Sequence, residues 1–173
     1  DLGNAYFSRS DFDRAEQYFK QALEYAQRNK GRINEARALL SLGSLNQTKG
    51  NLNEAVPYIE QALSFYRSGG YRQQTAQALI LLARINRNRG NYESAMQAFQ
   101  QQLDIAQQDG SLQRQAEAHE GIGFMLSREE RYPEALAHFE TTYLLFSKLD
   151  NNLSIATSLG HRVSMLNLLG RHE

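Results

Sequence analysis

Two short stretches of the sequence carry residue types that could do chemistry. The first is LGSLNQTKGNL, where Gly43, Lys49 and Gly50 have the outward look of a phosphate-binding loop. Such a loop needs Gly, any four residues, then Gly-Lys-Ser/Thr, set between a strand and a helix, so that backbone N–H groups cradle phosphate while the lysine reaches its outer oxygens. Here Lys49 precedes Gly50, Asn51 follows it, and the residues ahead of Gly50 are patterned as a helix. The nucleotide reading fails. The second stretch is His119-Glu120, which raises a zinc hydrolase. That chemistry needs a second histidine one helical turn on, and position 123 is Gly123. No nucleophile, base and acid recur at any motif spacing. There is no cysteine, which removes disulfides and thiolate metal sites. No catalytic residue, metal ligand or cofactor is assigned, and an enzyme is not expected.

The elements that hold these residues are helices. Ala, Leu, Gln, Glu and Arg abound, only two prolines occur in 173 residues, and no apolar alternation of period two is present. Nineteen basic side chains balance nineteen acidic ones, so no net field draws the chain to nucleic acid or to an anionic membrane. No apolar run approaches the ~18 residues of a membrane span. A cytoplasmic, reducing setting fits the lack of cysteine. Asp1-Leu2-Gly3 reads as the inside of a domain, so the chain is expected to be part of a longer protein.

Shifting the sequence by 40 residues lays it on itself without a gap. Leu2, Leu42, Leu82 and Ile122 share a column, followed by Gly3, Gly43, Ala83 and Gly123. Gly50, Gly90 and Gly170 share another, with Ser10 and Glu130 as exceptions. Ala15, Ala55, Ala95 and Ala135 do not vary, and Phe19, Ile59, Phe99 and Phe139 follow them. Each unit reads as two helices. In the second unit one runs from Arg32 to Lys49 and is stopped by Gly50, which adopts the left-handed conformation easily. Asn51 is the expected cap of the next helix, whose buried face is Ala55, Ile59, Ala62, Leu63 and Tyr66. Lys30-Gly31, Gly69-Gly70, Asp109-Gly110 and Asp150-Asn151 mark the turns between units. The small columns are expected where helices cross closely and the large ones where units meet. One helix pair cannot bury its own apolar face, so the units must stack.

Pro133 falls at a helix start, where its missing N–H costs little, whereas Pro57 falls about a turn inside a helix and predicts a mild kink. Asn46-Gln47-Thr48 and Asn152-Leu153-Ser154 match the glycosylation acceptor pattern, a match that arises often by chance. His119 replaces the leucines of its column, Leu39, Leu79 and Leu159, and reads as a half-buried histidine satisfied by hydrogen bonds. His138 replaces Tyr18 and Tyr58 and reads as a rim residue. His161 has no evident partner, and His172 falls in the aromatic column.

The stretch LGNAYFSRSDFDRAEQYFKQAL at 2–23, with its three successors, resembles the tetratricopeptide repeat (TPR) family. The spacing of 40 rather than 34 resembles the longer-helix subclass of kinesin light chains and of the Leu-Gly-Asn spindle adaptors. The resemblance implies an all-α, right-handed superhelical solenoid of antiparallel helix pairs, with units at 32–71, 72–111 and 112–151 and partial ones at 1–31 and 152–173. Gln102 and Thr142 depart from the family's preferred alanine.

In this family a second stripe on each first helix lines a concave groove for extended peptides or partner helices. Mapped here, the stripe is Arg37, Leu40, Ser41, Ser44, Gln47 and Thr48, then Gln77, Ile80, Leu81, Arg84, Arg87 and Asn88, then Glu117, Glu120, Gly121, Phe124, Ser127 and Arg128. Arginine forks suit carboxylates, asparagine suits an extended backbone, and Ile80 and Phe124 suit apolar pockets. The expectation is a protein-interaction scaffold whose groove takes an acidic segment of a partner, gripped by Arg37, Arg84, Arg87 and Arg128. Two other readings stay open: a ligand-responsive sensor module of a larger signalling protein, and a structural spacer or self-association array.

Overall fold

The computed structural model of the protein describes residues 2–170. His172, placed above in the aromatic column, lies outside them. The described residues form nine helices and no strand: α1 (Leu2–Ser8), α2 (Phe12–Arg28), α3 (Arg32–Lys49), α4 (Leu52–Ser68), α5 (Arg72–Asn88), α6 (Tyr92–Gln108), α7 (Leu112–Arg128), α8 (Tyr132–Lys148) and α9 (Asn152–Leu168). None is long and apolar enough to cross a membrane.

The 40-residue period divides into two half-periods of one turn design. Ser10, Lys30, Gly50, Gly70, Gly90, Gly110, Glu130, Asp150 and Gly170, spaced by twenty, all have positive φ, between 52° and 82°. At the turn after α3, the N–H of Gly50 donates to the carbonyl of Gln47, and that of Asn51 to Asn46. The same pair closes the turn after α7, where Glu130 donates to Ser127 and Arg131 to Leu126. This double closure satisfies the orphan carbonyls of a helix end and reverses the chain. Four side chains other than glycine therefore sit in a conformation that costs an L-residue about 1–2 kcal/mol. That is why the glycine column has exceptions in sequence but none in geometry.

The helix starts are less uniform. Asn51 occupies the cap position of α4, but its side chain makes no capping bond and instead donates to Asn46 Oδ1 at 3.4 Å. Capping by side chain occurs at Asp11, Ser111 and Asn151, each accepting from the backbone N–H three residues on. Pro133 lies in the first turn of α8, and Pro57 lies inside α4 without ending it. Asn46 is buried in α3 and donates to the carbonyl of Leu42, so its side chain is not presented as a glycosylation acceptor.

Contacts divide the chain into two units, one ending at Arg89 and one starting at Gly90. In the first, α1 to α5 pack each on the next, and α3 also reaches α5. Ala15, Phe19, Leu42 and Leu45 form a core there, with Tyr6, Phe7, Phe12, Leu23 and Tyr58 packed around it. In the second, α6 to α9 pack in succession, and Ala116, Leu145 and Phe146 form a core with Leu112 and Ile155. Ala15, Ala55, Ala95 and Ala135 are each 0% exposed. The neighbouring small column works by close approach: a Cβ on Gly43 would overlap Ile59 Cγ1 and come within 3.3 Å of the Ala55 carbonyl. One on Gly123 would lie 2.9 Å from the Phe139 ring. The buried face of α4 is the expected one, namely Ala55, Ile59, Ala62, Leu63 and Tyr66.

Candidate binding groove

In the first unit, α1, α3 and α5 turn one face of each helix toward a common groove of about 550 Å³. From α1 come Asn4 and Phe7; from α3 Arg37, Leu40, Ser41 and Ser44; from α5 Gln74, Gln77, Ile80, Leu81 and Arg84. Phe19 of α2 and Tyr66 of α4, both buried, complete the lining. Within each helix's set the residues recur at intervals of three and four, as in Arg37, Leu40, Ser41 and Ser44, the spacing that puts residues along one helical face.

The groove contains no carboxylate. Its cations, Arg37 and Arg84, are exposed, and neither makes an ion pair among the described residues. Amides and hydroxyls from Asn4, Gln74, Gln77, Ser41 and Ser44 offer donors and acceptors beside them. Burial pushes the Tyr66 phenol above its ordinary value, with Arg37 pulling weakly the other way, so the ring sits neutral under the groove at pH 7. The arrangement can take a carboxylate on the arginine forks, pair a backbone with the amides and bury an apolar side chain against Phe7 and Ile80.

Eight of the residues expected in the stripe meet in this groove: Arg37, Leu40, Ser41, Ser44, Gln77, Ile80, Leu81 and Arg84. Leu40 is 6% exposed, so it serves as wall rather than as a free contact. Gln47, Arg87 and Asn88 are not in its lining, and the Arg87 Nε–H donates to Asn88 Oδ1 at 3.5 Å. The second unit holds the remaining ones and uses most of them internally. Glu117 accepts from Gln113 Nε2 at 2.8 Å. Glu120 lies 3.6 Å from His161 Nδ1. Phe124 stands edge-on to Phe139, with ring centres 5.5 Å apart, and to His161 at 4.6 Å. The apolar pocket expected at Phe124 is thus filled by His161, which is not without partners as its sequence context implied. Gly121 is buried, because a Cβ there would run into the Phe99 ring, so it is a packing glycine and not a groove position. Arg128 is exposed in the last turn of α7.

Sequence reasoning missed Asn4, Phe7, Gln74, Phe19 and Tyr66. Asn4 and Phe7 were within reach, since Asn4 lies 40 residues before Ser44 and 80 before Arg84, and Phe7 lies 40 before Gln47. Phe19 and Tyr66 belong to core columns, and no column tells that a core ring also shows an edge to the groove.

The histidines of the second unit come together as a pair. His119 of α7 and His138 of α8 are half-buried, with Nδ1 atoms 3.0 Å apart. Burial, and then the neighbouring ring, push His119 down to about 4, and burial lowers His138, so both rings are neutral at pH 7. His119 is satisfied as expected, and His138 is its partner rather than a simple rim residue.

Models of the tetratricopeptide repeat match residues 1–68 and 78–113, together more than half of the sequence. This chain belongs to the tetratricopeptide repeat family. No curated protein matches the sequence. Among solved structures, BtubC (BKLC) from P. vanneervenii superposes with a TM-score of 0.87 at 19% identity, over 98% of this chain and 70% of that one. The apo form of RapI gives 0.90 at 18% identity, over 98% and 62%. A Rap protein complexed with competence and sporulation factor gives 0.79 at 19% identity, over 98% and 47%. At these identities the likeness speaks to the fold, which is the all-α TPR solenoid, and the chain spans less than two-thirds of both Rap proteins.

Proposed function

We propose that this TPR chain is a protein-interaction scaffold whose first unit holds an extended, acidic segment of a partner protein. The observation that carries the proposal is the convergence of Arg37 and Arg84, unpaired by any acid among the described residues, on one groove without carboxylates. Charge-assisted bonds from a guanidinium to a carboxylate are about twice as strong as neutral ones, which makes the two arginines the main contributors to affinity. Asn4, Gln74 and Gln77 would hold the backbone of the segment, and Ile80 and Phe7 an apolar side chain. Arg87 and Asn88 would extend the grip only to a longer ligand. That a Rap protein of this fold is found complexed with competence and sporulation factor supports the use of such a fold for binding.

The test is fluorescence anisotropy with an eight-residue peptide rich in Glu and one Leu, against the same peptide with Gln for Glu. The expected result is binding that falls at least tenfold in Arg37→Glu/Arg84→Glu and weakens with salt. Equal affinity of wild type and double variant, or of the acidic and amide peptides, refutes the proposal.

A further inference from the structure

Two repeat columns change character in the same unit, and the two changes touch. At the column of residue 119 the other units have Leu39, Leu79 and Leu159, and at the column of residue 138 they have Tyr18, Tyr58 and Ala98. Only between α7 and α8 do both become histidine, and there the ring centres lie 5.0 Å apart with planes inclined at 45°. One such replacement is ordinary drift in a repeat. Two that converge nitrogen on nitrogen form a unit with a chemistry that neither leucine nor tyrosine has. The 3.0 Å between the Nδ1 atoms also has a specific meaning. Two imidazoles bound at about 2.0–2.1 Å to one metal, at roughly a right angle, hold their nitrogens about 2.8–3.2 Å apart.

We propose that His119 and His138 form a two-imidazole chelate for a late first-row divalent metal, binding Cu²⁺ ahead of Ni²⁺ and Zn²⁺. Imidazole nitrogen suits these ions, and the order follows their general affinity for such ligands. Both rings are half-buried, so the pair is neither sealed from solvent nor fully in it. No cluster of three metal-ligating side chains occurs among the described residues, so water fills the other positions. Glu134, one turn before His138, does not compete for the role. Its two oxygens are held by the Arg131 guanidinium at 2.8 and 2.6 Å. A metal here bridges α7 to α8 and needs only the donor ring's proton moved from Nδ1 to Nε2, since the accepting ring already carries its own there, so that a single N–H···N contact is replaced by two coordinate bonds. The site does not rest on the groove or on its ligand.

The experiment titrates CuSO₄ and ZnCl₂ into the chelator-treated full chain by calorimetry, with Cu²⁺ paramagnetic resonance to count ligand nitrogens. The expected result is one equivalent of Cu²⁺ bound by two nitrogens, with Zn²⁺ weaker. H119L and H138Y restore residues that sister units carry in those columns, so folding should survive, and each should weaken Cu²⁺ binding at least tenfold. H161L should leave it unchanged. As a check that needs no variant, Zn²⁺ added to ¹⁵N-labelled wild type should move the Nδ1 signals of these two rings together. Unchanged affinity in H119L and H138Y, loss in H161L instead, or Nδ1 signals that do not respond to Zn²⁺, would each overturn the proposal.

Discussion

At the scale of the residue, the fold is governed by where a methyl group fits. Gly43 and Gly160 are both helical glycines, and a helix interior pays for either of them in backbone entropy. Their surroundings differ completely. A Cβ on Gly43 overlaps Ile59, a β-branched side chain with little freedom to move, whereas a Cβ on Gly160 meets nothing within 4 Å. The two substitutions should therefore have opposite signs. Gly43→Ala should destabilise by roughly 1–3 kcal/mol through overpacking. Gly160→Ala should stabilise by about 0.5–1 kcal/mol, since α9 loses a poor helix former without any clash. Urea unfolding of the two variants beside wild type decides it; the same sign in both would mean that the close approach of α3 to α4 is not as described. Gly121 teaches the same lesson from the other side. Its column holds Ser41 and Leu81 in the sister units, which line the groove, yet its own Cα is covered by Phe99. The column gives a residue's place on its helix, while the neighbouring side chain decides whether that place is open.

At the scale of the element, helices meet through buried columns, and few polar contacts tie one helix to another. The clearest is Glu16 of α2, which accepts from Lys20 at 2.7 Å within its own helix and from Lys49 of α3 at 2.8 Å. Hydrogen bonds from Lys20 and then Lys49 hold the Glu16 carboxyl below its ordinary value of 4.5. The sign follows from linkage: a carboxyl with a lowered folded value binds its proton more readily in the unfolded chain. Its contribution is complete above pH 4.5 and is lost as pH falls through the folded value. Both lysines are largely in solvent, so the effect is small, as exposed pairs usually are. Glu16→Gln should lower Tm by about 1–3 °C at pH 7, and the gap should narrow progressively as pH falls below 4.5. Thermal melts by circular dichroism across the acid range would show it, and a gap that did not narrow at all with falling pH would locate the loss in packing instead. Helix limits and buried faces were legible because they follow from period and from turn residues. The failed Asn51 cap was not, because a cap depends on where a side chain points and not on which residue it is.

At the scale of the whole molecule, what the sequence could not show are relations between side chains on different helices. His119 and His138 are nineteen residues apart, and Phe124, Phe139 and His161 lie on three helices. A 40-residue shift finds equivalent residues, not touching ones. The groove was half legible for the same reason: the stripe on α3 and α5 could be read, but Phe19 and Tyr66 reach it from second helices. The contacts that do exist impose a particular response to damage. Within each unit, from α1 to α5 and from α6 to α9, substantial packing joins each helix to its chain neighbour, and α3 also touches α5. In such an array stability is approximately a sum of unit terms and nearest-neighbour terms, so a local lesion stays local. Ala135 is 0% exposed, and Ala135→Leu should overpack that site by roughly 1–3 kcal/mol. If the chain opened all at once, protection against hydrogen exchange would fall equally everywhere. With nearest-neighbour coupling, amides of α7 and α8 should instead exchange roughly five- to a hundred-fold faster, since each 1.4 kcal/mol is a factor of ten, while those of α2 to α4 keep wild-type protection. Native-state exchange read by mass spectrometry distinguishes the two, and uniform loss along the chain would replace the additive picture with a single cooperative core.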